Sequence, residues 1–83
     1  MKELNSVVLD GVIIKCTANE SSTDIIIQSD EKGFKAVGYG NVGIYIQQNY
    51  KFCRGIRIVG KLDIGNEEMY ISIEHVEFKP IGA

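Results

Sequence analysis

Lys35, Val37 and Tyr39 occupy alternate positions of one short segment, and Arg57, Val59 and Lys61 do the same in another. In extended chain that spacing puts cation and ring, or cation and cation, on one face. A flat ring stacks on an unpaired base for roughly 1–3 kcal/mol per base whatever the base, while ammonium and guanidinium groups follow the phosphates. The pattern therefore suits single-stranded nucleic acid. It suits equally a solvated strand face, or a surface that contacts another protein.

Other arrangements offer less chemistry. Gly38-Tyr39-Gly40-Asn41-Val42-Gly43 matches G-x-G-x-x-G, with Asp63 roughly twenty residues beyond its last glycine. A dinucleotide cradle needs further βαβ units beside the motif, and 83 residues with one predicted helix cannot supply them. The glycines read better as backbone devices: Gly40 permits a tight strand-to-helix turn, and Gly38 and Gly43 permit close approach of two backbones. His75, the one histidine, has no clustered ligand partners, and Glu74 and Glu77 beside it face no nucleophile. Glu67 and Glu68 adjoin in a turn, and Ser21-Ser22 lacks the strained elbow of an acyl-transfer serine. Cys16 and Cys53 form no C-x-x-C pair, so the reading is two small, buried or half-buried thiols in a reducing compartment. No enzyme, cofactor, metal or small-molecule substrate is expected.

Charge limits the binding reading. Nine Lys plus Arg against eleven Asp plus Glu leave a net charge of -2, so any site for a polyanion must be a local patch. Asp10, Asp63, Glu74 and Glu77 dilute it.

The side chains must be held by a scaffold, and 83 residues with 45% apolar content allow one domain, spanning 1–83, with a real core. Residues 5–16 read as one long strand, bent or bulged at Gly11 so that it can serve two sheets. Residues 23–29, with the triplet Ile25-Ile26-Ile27, make a second strand, and Asp30-Glu31-Lys32-Gly33 turns the chain into a third at 34–39. There Phe34, Ala36 and Gly38 face one way while Lys35, Val37 and Tyr39 face the other. From Asn41 the apolar period lengthens through Val42, Tyr45, Ile46, Asn49 and Tyr50, which predicts a helix at 42–52. Asn41 would cap it, Gly55 would end it, and Lys51 and Arg54 would sit near its negative end. With Gly43, Ile44 and Ile46 inside, packing must hold it rather than propensity. Residues 56–63 alternate as a fourth strand, Gly65-Asn66-Glu67 turns, and 69–78 form a fifth before Pro80.

Three strands, a helix and two strands, the first glycine-bent, is the order of the OB-fold, a five-stranded Greek-key barrel with its helix between strands three and four. Closure would remove most open strand edges. A chain this short buries only roughly 60% of the surface that its unfolded form exposes, so pairing with another copy is expected. The longest apolar runs, such as 12–14 and 25–27, fall far below the roughly 20 residues of a bilayer span. The opening MKELNSVV lacks a signal's apolar core, so a cytoplasmic location and no membrane partner are expected.

Several blocks carry a resemblance. Asn5-Ser6-Val7-Val8-Leu9-Asp10-Gly11-Val12, Ala36-Val37-Gly38-Tyr39-Gly40-Asn41, Tyr50-Lys51-Phe52-Cys53-Arg54-Gly55, Ile58-Val59-Gly60-Lys61-Leu62 and Ile73-Glu74-His75-Val76-Glu77-Phe78 resemble, in order, the blocks of bacterial single-stranded DNA-binding proteins. Tyr39-Gly40, Arg54-Gly55 and Gly60-Lys61-Leu62 fit that family's aromatic-glycine, lysine-glycine and glycine-basic-leucine steps. The resemblance implies an OB-fold that forms homodimers or homotetramers, serves DNA replication or repair, and lays single-stranded DNA over its outer sheet. By position it makes Tyr39 a stacking ring and Lys35 a backbone contact. The sequence departs from the family in having no tryptophan, short hairpins, and Pro80-Ile81-Gly82-Ala83 where a disordered, acidic-tipped tail usually follows. The primosomal replication protein N is a trimmed member of the wider group, and a tail-less form like it is expected here. Together these readings assign Lys15, Lys35, Arg57 and Lys61 to phosphates and Tyr39 and Tyr70 to bases, with Phe34 in the core by its opposite parity.

Overall fold

The computed structural model describes residues 6–52, 55–65 and 68–79. Expectations resting on Asn5, Cys53, Arg54, Asn66, Glu67 and Pro80 lie outside them.

Alternation of β-branched and polar residues produces the strands β1 (Ser6–Ala18), β2 (Ser22–Ser29), β3 (Lys32–Tyr39), β4 (Gly55–Gly65) and β5 (Glu68–Lys79), with the helix α1 (Asn41–Asn49) after β3. They close into one barrel in the order β1-β2-β3-β5-β4, the OB-fold topology. Inward-facing Ile13, Ile25, Ile27, Ile56, Ile58, Ile71 and Ile73 fill it, with Ala36 where the wall is tight.

The first strand does serve two neighbours. It pairs with β4 over residues 6–12 and with β2 over residues 12–18. The bulge lies between Ile13 and Lys15, just past the Gly11 position expected from sequence. Gly11 is needed for a different reason: a Cβ there would stand 2.4 Å from the Gln28 carbonyl oxygen, where the strand changes partners. The turn expected over 30–33 contracts to Asp30 and Glu31, at φ 52° and 66°, and Ser29 pairs directly with Lys32. Positive φ at both central residues gives the turn the right-handed twist of its strands. The barrel closes through a short parallel contact, Ala36 with Ile71 and Val37 with Ser72.

The helix departs from expectation at both ends. Gly40, at φ 59°, takes the N-cap position, and Asn41 is the first helical residue, with no side-chain cap. At the other end the helix stops at Asn49, whose side-chain Nδ2 donates to the Tyr45 carbonyl oxygen at 2.8 Å. No basic residue occupies its last turn, and Gly55 opens β4 instead of capping the helix. Packing does hold it: Ile46 is fully buried, Thr23 Oγ1 donates to the Gly43 carbonyl oxygen at 3.1 Å, and Gln47 Nε2 donates to Thr23 Oγ1 at 2.6 Å. Tyr45, expected on the apolar face, sits at its margin, with its ring centroid 5.7 Å from that of Phe78. Cys16 is half-buried beside the core, and burial raises its thiol pKa above the ordinary value.

Candidate functional site

Outward residues of β1, β2, β3 and the first half of β5 form one curved face, ordered by register. One row runs Lys15, Ile26, Lys35; the next runs Thr17, Asp24, Val37, Ser72; a third begins with Ser22 and Tyr39. Tyr39 lies two residues past Val37 on β3, and Tyr70 two residues before Ser72 on the parallel β5. Their hydroxyls meet diagonally across that step at 3.3 Å. Beneath this pair Val37 is only 6% exposed although it points outward, while Tyr39 is 51% exposed. The hydrogen bond with Tyr39, then burial, then the charge of Asp63, push the Tyr70 pKa up to about 12. Its phenol therefore stays neutral across the physiological range.

Lys35, Val37, Tyr39 and Tyr70 line a groove of about 280 Å³ together with Asp24 and Glu68. A second groove, about 230 Å³, continues past Asp24, Lys35 and Glu68 to Lys15 and Thr17. Four of the six sequence-assigned residues are thus brought together: Lys15, Lys35, Tyr39 and Tyr70. Lys61 pairs with Ser72 and stands on the flank, two strands from Val37, with its Nζ 3.8 Å from Glu74 Oε2. Arg57 faces other neighbours. It aligns with Asp10 on β1 and Glu77 on β5, and donates from Nε to Asp10 Oδ1 at 2.8 Å and from Nη2 to Oδ2 at 3.1 Å. Lys79 Nζ adds a contact to Asp10 at 3.4 Å. The hydrogen bond from Arg57 is the largest cause holding the Asp10 pKa below its ordinary value.

Two carboxylates that sequence reasoning did not assign stand on the face. Glu68 Oε1 accepts from Lys35 Nζ at 3.2 Å, and Asp24 separates the Lys15 row from Tyr39. The outward parity of Asp24, between inward Thr23 and Ile25, was readable from the alternation. The place of Glu68 was not, since it depends on the pairing of β3 with β5. Two ammonium groups against two carboxylates leave the face aromatic but electrically balanced.

Phe34 shares the parity of Ala36, but it is only half-buried, at one end of the barrel and outside the buried core in which that parity predicts it. There Val7, Leu9, Leu62, Met69 and Ile71 join it around an apolar cavity of about 390 Å³. Among the described residues no three His, Cys, Asp or Glu side chains are grouped to hold a metal ion, and no helix is long and apolar enough to cross a membrane.

Solved structures share this architecture. A small single-stranded DNA binding protein from Mycoplasma pneumoniae superposes with TM-score 0.80 at 20% identity, over 98% of this chain and 92% of that one. The SSB domain of a protein from Synechococcus sp. gives TM-score 0.72 at 19% identity, over 92% and 97%. A replication protein A heterotrimer bound to ssDNA gives 0.69 at 12%, over 94% of this chain and 60% of that one. No protein-family model and no curated protein matches the sequence. At such identities the likeness is one of architecture, and what it establishes is that this chain folds as an OB barrel.

Proposed function

We propose that the protein binds single-stranded DNA without catalysis and with little dependence on sequence, across the groove between Tyr39 and Tyr70. The observation that carries this reading is that Lys35 and both tyrosines converge on one outward groove of an OB barrel. Fold likeness to proteins described as single-stranded DNA binding supports it. Each ring would offer a sequence-tolerant stack, and Lys15, Lys35 and the flanking Lys61 would meet phosphates. Arg57, held bidentate by Asp10, is the least available of the assigned cations.

Titration of tyrosine fluorescence with a mixed-sequence oligonucleotide at about 20 mM salt tests the reading, because counterion release makes binding strongest there. Saturable quenching is expected, and its absence would move the assignment to a protein-contact module. Neutralising Glu68 sharpens the test. In Glu68→Gln, Lys35 loses its ion pair, so affinity should rise about two- to fivefold, the range of an exposed pair's stabilisation. The slope of log affinity against log salt should steepen by up to about 0.7, one further phosphate neutralised on a single strand. If neither changes, Lys35 does not touch phosphate.

An assembly reading is favoured by a separate observation. Val8, Val12 and Ile14 are 64%, 46% and 56% exposed along β1, beside two carboxylates, Asp10 and Glu77, and two cations, Arg57 and Lys79. An apolar strip with balanced charge at its side suits a second copy of the same chain better than a polyanion. We propose that this face builds a homodimer or homotetramer. Val8→Asp should lower the sedimenting mass to that of a monomer without changing the circular dichroism spectrum; an unchanged mass would exclude Val8 from the contact.

A further inference from the structure

Of the two carboxylates on this face, Asp24 is the one that no cation engages among the described residues. It projects from β2 between Thr17 on β1 and Val37 on β3, and lines both grooves. Its neighbour Lys35 is engaged by Glu68. Among the described residues the Asp24 carboxylate takes part in no side-chain hydrogen bond or ion pair. An ionised carboxylate without a cation is purely an acceptor, and at a half-buried position it gains most from a polarised N–H donor.

The kind of donor follows from the rings. A base lying against Tyr39 or Tyr70 presents its edge, not its face, to neighbouring side chains, and Asp24 stands in the row next to Tyr39. Cytosine carries an amino donor at N4 and adenine one at N6, and guanine offers N2–H beside N1–H. Thymine and uracil differ in kind. Their single N3–H lies between two carbonyl oxygens, which would turn negative charge toward the carboxylate.

We infer that Asp24 makes the groove a reader of exocyclic amino groups, accepting a hydrogen bond from amino-bearing bases and disfavouring thymine. This rests on the single-stranded DNA reading above and gives it a base preference that stacking alone does not supply. One charge-assisted hydrogen bond at a partly exposed site corresponds to roughly fivefold in affinity.

The test compares dC and dT oligomers of equal length near neutral pH. The two are similar in ring size, so stacking largely cancels. Wild-type protein should bind dC roughly fivefold more tightly than dT. In Asp24→Asn both affinities should rise, because a negative charge leaves the face, but their ratio should fall to within about twofold, since an amide can turn either end to a base. A dC oligomer dimethylated at N4 should bind wild-type protein no better than dT, a comparison that needs no variant to fold. Equal binding of dC and dT, or a preference that survives both changes, overturns the inference and leaves DNA binding intact. Binding of neither oligomer overturns both.

Discussion

Replacing Tyr39 and Tyr70 together by alanine is expected to lower affinity for single-stranded DNA by about 2–6 kcal/mol, twice the roughly 1–3 kcal/mol of one base-stacking ring. Stability should change far less, because Tyr39 is half exposed and neither ring belongs to the buried isoleucine cluster. The single variants should not add. The hydroxyls touch at 3.3 Å, so losing either one frees the other ring, and contacting groups couple by about 0.5–3 kcal/mol. Tyr39→Phe separates the parts: it keeps the stack, loses the phenol pair, and should bind within a few-fold of wild type. The double variant keeps only Tyr45 and Tyr50, outside the groove, as fluorophores, so anisotropy of a labelled oligonucleotide is the proper measurement for this series. A double variant that binds as tightly as wild type removes the groove from the site. One that unfolds shows instead that the rings support the barrel, with Val37 the residue they keep dry.

The scaffold was readable because its signals are local. Alternation in 56–63 and 69–78, the triplet at 25–27 and the lengthened period after Asn41 each reflect one element burying one face, and element order then selects the barrel. Parity also placed Lys35 and Tyr39 outward correctly. What could not be read was anything set by register between distant segments. Glu68 meets Lys35 across 33 residues of sequence and Tyr70 meets Tyr39 across 31, through a parallel contact of two residue pairs that leaves no periodic trace. The basic and aromatic face inferred from spacing is therefore aromatic and charge-balanced in three dimensions. Arg57 shows the same limit, since its outward parity is right and its partner, Asp10, is fixed by the pairing of β1 with β4. The helix ends were misplaced for another reason. Asn41 and Gly55 are capping types by composition, but Gly40 already supplies the positive φ and Gly55 is drawn into β4 opposite Lys79.

Gly43→Ala should destabilise the fold by about 2 kcal/mol, against what helix propensity alone predicts. In an exposed helix interior the change would gain up to about 1 kcal/mol. Here the added Cβ would stand 2.6 Å from the Gly38 carbonyl oxygen and 2.8 Å from Thr23 Oγ1. The first is strand backbone and cannot give way without shifting the wall of the barrel; overpacking of this kind costs about 1–3 kcal/mol. The second is the hydroxyl that donates to the Gly43 carbonyl oxygen and accepts from Gln47, so moving it leaves buried polar groups unpaired, at about 1–3 kcal/mol more. The two costs outweigh the propensity gain. Urea unfolding should show a lower midpoint with an unchanged slope, the mark of lost stability without a change in the surface exposed. A variant as stable as wild type would mean that the helix is not held by close approach to β2 and β3. The G-x-G-x-x-G motif would then lose its structural explanation, which rests on Gly38 and Gly43 meeting across that contact with Gly40 turning the chain between them.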